Sequence, residues 1–297
     1  MYLIKSWRAL LVREYLEHRM AFLYFPLGIL GLLALSAASG FAVNRTHFIQ
    51  NFDIGRTWKL FELGYLIVIA LWIAYLGIAL FFYFGDAFSA DRRNNAMLFW
   101  KSMPVGDLKM VASKFLAGIT MFPLIVFLIA MVSGILLYVA LLGGGLALPG
   151  FIPPTPAEAV STFLNVSAFG VVYLFLAMLW FSPFMAWVGG LSTVFGRWSL
   201  PLAFVIPGVL AVIENMVFFG QGGPRGGYIW KYLSSRFHFG LTDMEMTFLA
   251  GAPIGFDVRT YLWLLFRDID WIAMGEGLVF VGVVLWLASE YRRRRIA

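Results

Sequence analysis

The 297 residues include no cysteine and three histidines, and only 13% of them are charged. Without cysteine there is no disulfide, no thiolate metal site and no cysteine nucleophile. His18, His47 and His238 stand singly, without the i, i+4 spacing of H-E-x-x-H, so no metal centre is expected. The chain has no G-x-x-x-x-G-K-[ST] loop to cradle a nucleotide phosphate, and no G-x-G-D or G-x-S-x-G arrangement to suggest hydrolytic chemistry. No internal repeat and no low-complexity tail is visible. The scarcity of charge excludes an ordinary water-soluble domain, which carries about 25% charged and roughly 45–50% apolar residues.

What the chain has instead is hydrocarbon, with 61% hydrophobic residues gathered in long runs. Crossing about 30 Å of bilayer core takes roughly 20 apolar residues in a helix. Six runs reach that length, at about 21–43, 63–84, 115–142, 162–188, 200–219 and 271–289. The sequence predicts an all-α polytopic membrane protein with one six-span domain over 21–297. The first run is too long for a signal-peptide core and is read as a retained anchor. Pro26, Pro123, Pro183 and Pro207 fall inside runs. They mark kinks where neighbours satisfy the freed carbonyls, not span ends.

Residues 1–20 read as an amphipathic N-terminal helix in the interface. Leu3, Ile4, Trp7, Leu10, Leu11 and Tyr15 share one arc, with Lys5, Arg8 and Arg13 off it. Glu14 and His18 break the pattern by falling on the apolar arc.

The net charge of +6 would suggest nucleic acid if it were not so distributed: of 22 Lys and Arg, 14 fall on one side of the six-span layout and eight on the other. Positive residues flanking spans determine topology, so both termini are expected in the cytosol, with no nucleic-acid partner. The chain is expected in the cytoplasmic membrane, surrounded by lipid.

The segment from Gly85 to Lys114, GDAFSADRRNNAMLFWKSMPVGDLKMVASK, joins the second and third spans. It begins charged, turns apolar at Met97–Trp100 and is broken by Met103-Pro104-Val105. Pro104 should end one short helix, and Gly106-Asp107 should supply a turn and an N-cap for the next. An apolar cluster on a water-facing segment needs something to pack on.

Asp91, Arg92, Arg93, Leu98, Trp100, Lys101, Ser102, Met103, Pro104, Val105, Ser113 and Lys114 together resemble the pattern of type-two ABC export permeases. The motif covers about 25 residues, and the similarity extends to the six-span layout and the N-terminal helix. Asp91-Arg92-Arg93 stands where the family more often has a glutamate-rich stretch. The resemblance implies that Asp91, Arg92, Arg93, Leu98, Trp100, Lys101, Met103, Pro104 and Val105 form a coupling helix. That helix would seat in a separate ABC ATPase subunit, which would bind ATP and Mg, leaving this chain without a cofactor or a hydrolytic role. It also implies a second permease chain as partner and outward transport by alternating access. The alternative is a non-transporting scaffold that passes ATPase-driven motion to an external partner.

Glu214, Asn215 and Glu276 lie within or beside apolar runs. Ionisable residues there usually face a bundle interior or a wet cavity, so a gate or pathway role is open to them. The stretch 220–270 is read as a long external loop with a Gly-Pro-rich start, acting as a lid or packing on the membrane surface.

Overall fold

The computed structural model describes residues 2–42, 57–90, 106–147, 151–218, 227–237, 239 and 255–295, and among these no strand occurs. The helices are α1 (Tyr2–Arg19), α2 (Phe25–Ala42), α3 (Thr57–Ala87), α4 (Asp107–Leu116) and α5 (Phe122–Ala147). They continue as α6 (Pro156–Phe195), α7 (Ser199–Val217), α8 (Gly227–Phe237), α9 (Val258–Asp268) and α10 (Trp271–Arg295). Among the described residues, five helical stretches are long and apolar enough to cross a membrane: Lys5–Ser39, Lys59–Ala87, Asp107–Leu146, Pro156–Val217 and Trp271–Arg294. Large apolar side chains such as Leu32, Leu71, Phe175 and Val279 stand exposed on them. A water-soluble monomer rarely tolerates so much exposed apolar surface, and hydrocarbon accepts it.

The centre of the bundle is α3 against α6, flanked by α5 and α10. Small residues and hydroxyls draw these helices together, as expected where lipid supplies no hydrophobic drive for helix association. A Cβ on Gly134 of α5 would lie 2.3 Å from the Tyr65 ring of α3, and one on Gly170 of α6 would lie 2.9 Å from the Phe127 ring of α5. The hydroxyls of Tyr65 and Ser167 hydrogen-bond at 2.7 Å, and Trp72 Nε1 donates to Ser133 Oγ at 2.9 Å. Each bond joins two helices in a region where an unpaired polar group would be costly.

The helices accommodate the prolines by two different devices. Pro183 leaves the carbonyl of Leu179 without its helical donor, and Ser182 Oγ supplies one at 2.7 Å. Pro207 does the same to Ala203, whose carbonyl accepts from Trp187 Nε1 at 3.3 Å. Pro26 and Pro123 instead follow five-residue π turns, Met20–Tyr24 and Ala117–Met121, which widen the helix before the missing N–H. In that wider register Pro26 would have bonded Ala21, and the Tyr75 hydroxyl donates to the Ala21 carbonyl instead.

These π turns expose a likeness that the residues alone conceal. An amphipathic helix, a π turn, Phe-Pro and a long apolar helix occur twice, as α1 to α2 and as α4 to α5. The two units lie side by side, with Phe22 stacked on Phe122 at 4.0 Å.

Two expectations need correction. The 220–270 stretch is not simply a loop, because α8 and α9 lie inside it, packed on α7 and α6 respectively. Asp257 starts α9 as an N-cap, its carboxylate accepting from the N–H groups of Arg259 and Thr260. The Thr260 hydroxyl donates to the same carboxylate, and that bond is the main reason it is held below the usual aspartate range. At α4, Gly106 rather than Asp107 occupies the N-cap position, and no side chain caps the helix. Asp107 is instead the first residue of α4, its carboxylate 3.9 Å from Arg292 Nε of α10.

Candidate functional site

The predicted coupling residues Asp91, Arg92, Arg93, Leu98, Trp100, Lys101, Met103, Pro104 and Val105 lie outside the described residues. The two roots of their segment are described, and both are anchored by charge.

At the first root, α3 closes with Ser89 N donating to Asp86 O at 3.0 Å, while Ser199 Oγ at the start of α7 donates to Gly85 O at 2.8 Å. Phe88 is buried against Gly189 of α6, where a Cβ would come within 2.7 Å of its ring. At the second root, Asp107 is the first residue of α4. One side chain reaches both roots. Arg292 of α10, 1% exposed, donates from a terminal nitrogen to Phe88 O at 3.3 Å, and its Nε lies 3.9 Å from Asp107 Oδ1. The last described helix therefore ties together the described chain on either side of residues 91–105.

About two turns further along α4, Lys114 makes the deepest ion pair described in the protein. Its Nζ is 3.1 Å from Glu14 Oε1 of α1, and each side chain is 2% exposed. The Tyr83 hydroxyl of α3 lies within reach of Glu14 Oε2 at 3.2 Å and of the Lys114 carbonyl at 2.9 Å. The His18 ring stands edge-on to Tyr83 and closes the site beside Phe122. Near the other end of α1, Lys109 bonds Ser6 Oγ and sits over the Trp7 ring at 5.5 Å. Taking two charges out of water costs several kcal/mol per ion, which the attraction between the two charges and the Tyr83 hydroxyl on the carboxylate offset. The two misfits in the amphipathic stripe of α1 thus have a physical cause: Glu14 and His18 face α4 and α3 rather than lipid.

Glu14, Glu17 and His18 offer three ligand atoms within 4.8 Å of one another. Glu14 is already neutralised by Lys114, and Glu17 by Arg13 at 2.7 Å. A cation would have to displace both partners.

Glu214 and Asn215 meet at the far end of α7. Glu214 takes the N–H groups of Tyr228 at 2.7 Å and Ile229 at 2.8 Å, capping α8 from outside with a negative charge at the positive end of that helix. Gly227, at φ +84°, makes the close approach possible. Asn215 Nδ2 donates to the Ala211 carbonyl at 2.8 Å. Glu276 stands exposed on α10, with no hydrogen bond or ion pair to other described residues. The structure brings the first two together and leaves the third apart.

Two charged residues unremarked in the sequence anchor α8 and the residues before α9. Arg236 of α8 is 2% exposed. It lies 4.6 Å over the Trp180 ring, with one terminal nitrogen on the Trp180 carbonyl at 3.4 Å and the other on the Ala273 carbonyl. Glu62 of α3, 1% exposed, pairs with Lys59 at 2.7 Å and accepts from Phe256 N at 2.8 Å, fixing the residues before α9. Lys59 and Glu62 carried an i, i+3 signal; Arg236 carried none.

No family model, curated protein or solved structure matches this chain.

Proposed function

We propose that the chain is the membrane-spanning permease of an ATP-driven ABC exporter, with six spans and both termini in the cytosol. Five of the spans correspond to α2, α3, α5, α6 and α10. The sixth comes from reading Pro156–Val217 as two, α6 and α7, divided by a turn at Gly196–Trp198 where Gly196 takes φ +58°. Trp187 reaches Ala203 across that turn, as helices folding back on each other require.

The observation that carries the function is the double anchoring of α4. The motif that resembles the export permeases ends at Ser113-Lys114, and Lys114 is the residue buried against Glu14. Asp107, just past Pro104-Val105, is the residue held by Arg292. A force applied to the 91–105 segment by an ATPase subunit would pass through these ion pairs into α1, α3 and α10 together. Packed, ion-paired elements of this kind move as rigid bodies, which is how a local push becomes a domain movement. A second permease chain would supply the opposite wall of the pathway, and ATP with Mg would sit on the partner ATPase.

The test uses variants of Met103 to Val105 in the full-length protein, purified from its native membrane in mild detergent. Loss of an associated ATPase, with the helical content unchanged, supports the reading. Retention of the ATPase by every such variant counts against it. A cysteine-free chain also permits single-cysteine labelling without background, and labelling of a cysteine at position 101 from outside the cell would overturn the assigned orientation.

A further inference from the structure

We propose that the groove between α6 and α10 is a binding site for one anionic phospholipid of the surrounding membrane, holding an acyl chain between the helices and the phosphate at the arginines beside its mouth.

The groove has a volume of about 510 Å3. At Gly190 the two helices touch so closely that a Cβ there would lie 2.7 Å from Val284 Cγ1. Toward their ends they part, and the space between is walled by Trp187, Leu191, Val194, Val284 and Leu287. Trp187 is fixed by its bond to the Ala203 carbonyl, so that wall is preformed. Water would find almost no partner on such walls, whereas a hydrocarbon chain matches them. In a bilayer the acyl chains of neighbouring lipids are the apolar material at hand.

The mouth supplies the selectivity. Glu290, Tyr291 and Arg294 close the groove at the end of α10, at the start of the run Arg292 to Arg295. One oxygen of Glu290 takes both Arg293, at 2.9 Å from a terminal nitrogen, and Arg294, at 2.6 Å from Nε. Two guanidiniums share one carboxylate, so the trio keeps a positive charge. Both arginine side chains remain more than two thirds exposed, with further N–H groups to offer. A guanidinium fork suits phosphate oxygens, and basic groups at a membrane surface favour anionic over zwitterionic headgroups. Glu290 serves as the positioning residue that keeps both forks at the groove.

The inference stands apart from the ATPase reading, because it concerns only α6, α10 and the lipid around them. The test is to purify the full-length protein with repeated detergent exchange and measure retained lipid by mass spectrometry. The wild type should keep about one anionic phospholipid per chain, enriched over the bulk membrane. Replacing both Arg293 and Arg294 by glutamine should leave lipid bound but reduce that enrichment by roughly fivefold per arginine. Val194→Trp, which fills the groove, should remove the lipid; Leu287→Trp serves if that variant does not fold. Wild-type protein that retains no lipid, or retains the bulk mixture, overturns the proposal. So does a groove-filling variant that keeps its lipid or changes only self-association, which would make a second copy the occupant. An ATPase recovered without the lipid leaves the permease reading standing, and lipid recovered without an ATPase leaves the groove standing.

Discussion

Replacing Lys114 by methionine should strand the Glu14 carboxylate in a site where the Tyr83 hydroxyl and, at 4.0 Å, the His18 ring are the polar neighbours left to it. Breaking a buried ion pair by removing one partner typically costs about 3–5 kcal/mol. Lys114→Met should therefore lose about 3 kcal/mol, and Glu14→Met a similar amount. The double methionine variant should recover most of the loss, since apolar replacement of a whole buried pair is often neutral or better. The assay is reversible unfolding in mixed micelles, followed by tryptophan fluorescence. Single deficits below about 1 kcal/mol would refute the reasoning, as would a double variant that costs the sum of the two.

Gly134→Ala should destabilise the bundle by about 1 kcal/mol in the same assay. The new methyl meets a Tyr65 ring tethered through its hydroxyl to Ser167, and overpacking of about 1–3 kcal/mol outweighs a helix-propensity gain of at most about 1 kcal/mol; a more stable variant would contradict that packing. Glu214→Ala should loosen α8 by about 1 kcal/mol by removing the acceptor of two N-terminal amides, read as faster amide exchange at Tyr228 and Ile229 with little change in α3. Unchanged exchange at those two amides would show that the cap is not what holds α8.

The long elements were legible because hydrocarbon imposes a single rule, about 20 apolar residues per crossing, and the runs at 63–84 and 162–188 obey it without interruption. Their helices extend beyond the runs, to Thr57–Ala87 and Pro156–Phe195, since polar flanks continue the same backbone geometry outside the apolar layer. That the chain starts as a helix was legible as well, and the flaw in its apolar arc proved the more informative part. A carboxylate on an apolar arc needs a cation from elsewhere, but nothing in the order of residues says that the cation is Lys114, a hundred positions away. Arg292 was hidden for a related reason. As the first of four arginines it looked like one more topology charge, and only its depth sets it apart from Arg293 and Arg294. The helices α8 and α9 were missed because each is 11 residues long, too short to register as a span. Their signals were local ones: the Asp257 cap of α9, and a Glu214 that caps α8 from 14 residues earlier in the chain.

Under the proposed function, this chain passes the force of a separate ATPase through the 91–105 segment into the bundle. The most direct measurement is mild-detergent affinity purification of the wild-type protein from its native membrane, with mass spectrometry and an ATPase assay on what co-elutes. A stoichiometric P-loop ATPase should co-elute, with a hydrolysis rate that changes when it is separated from this chain. Recovery of the chain without any ATPase under every mild condition would contradict it.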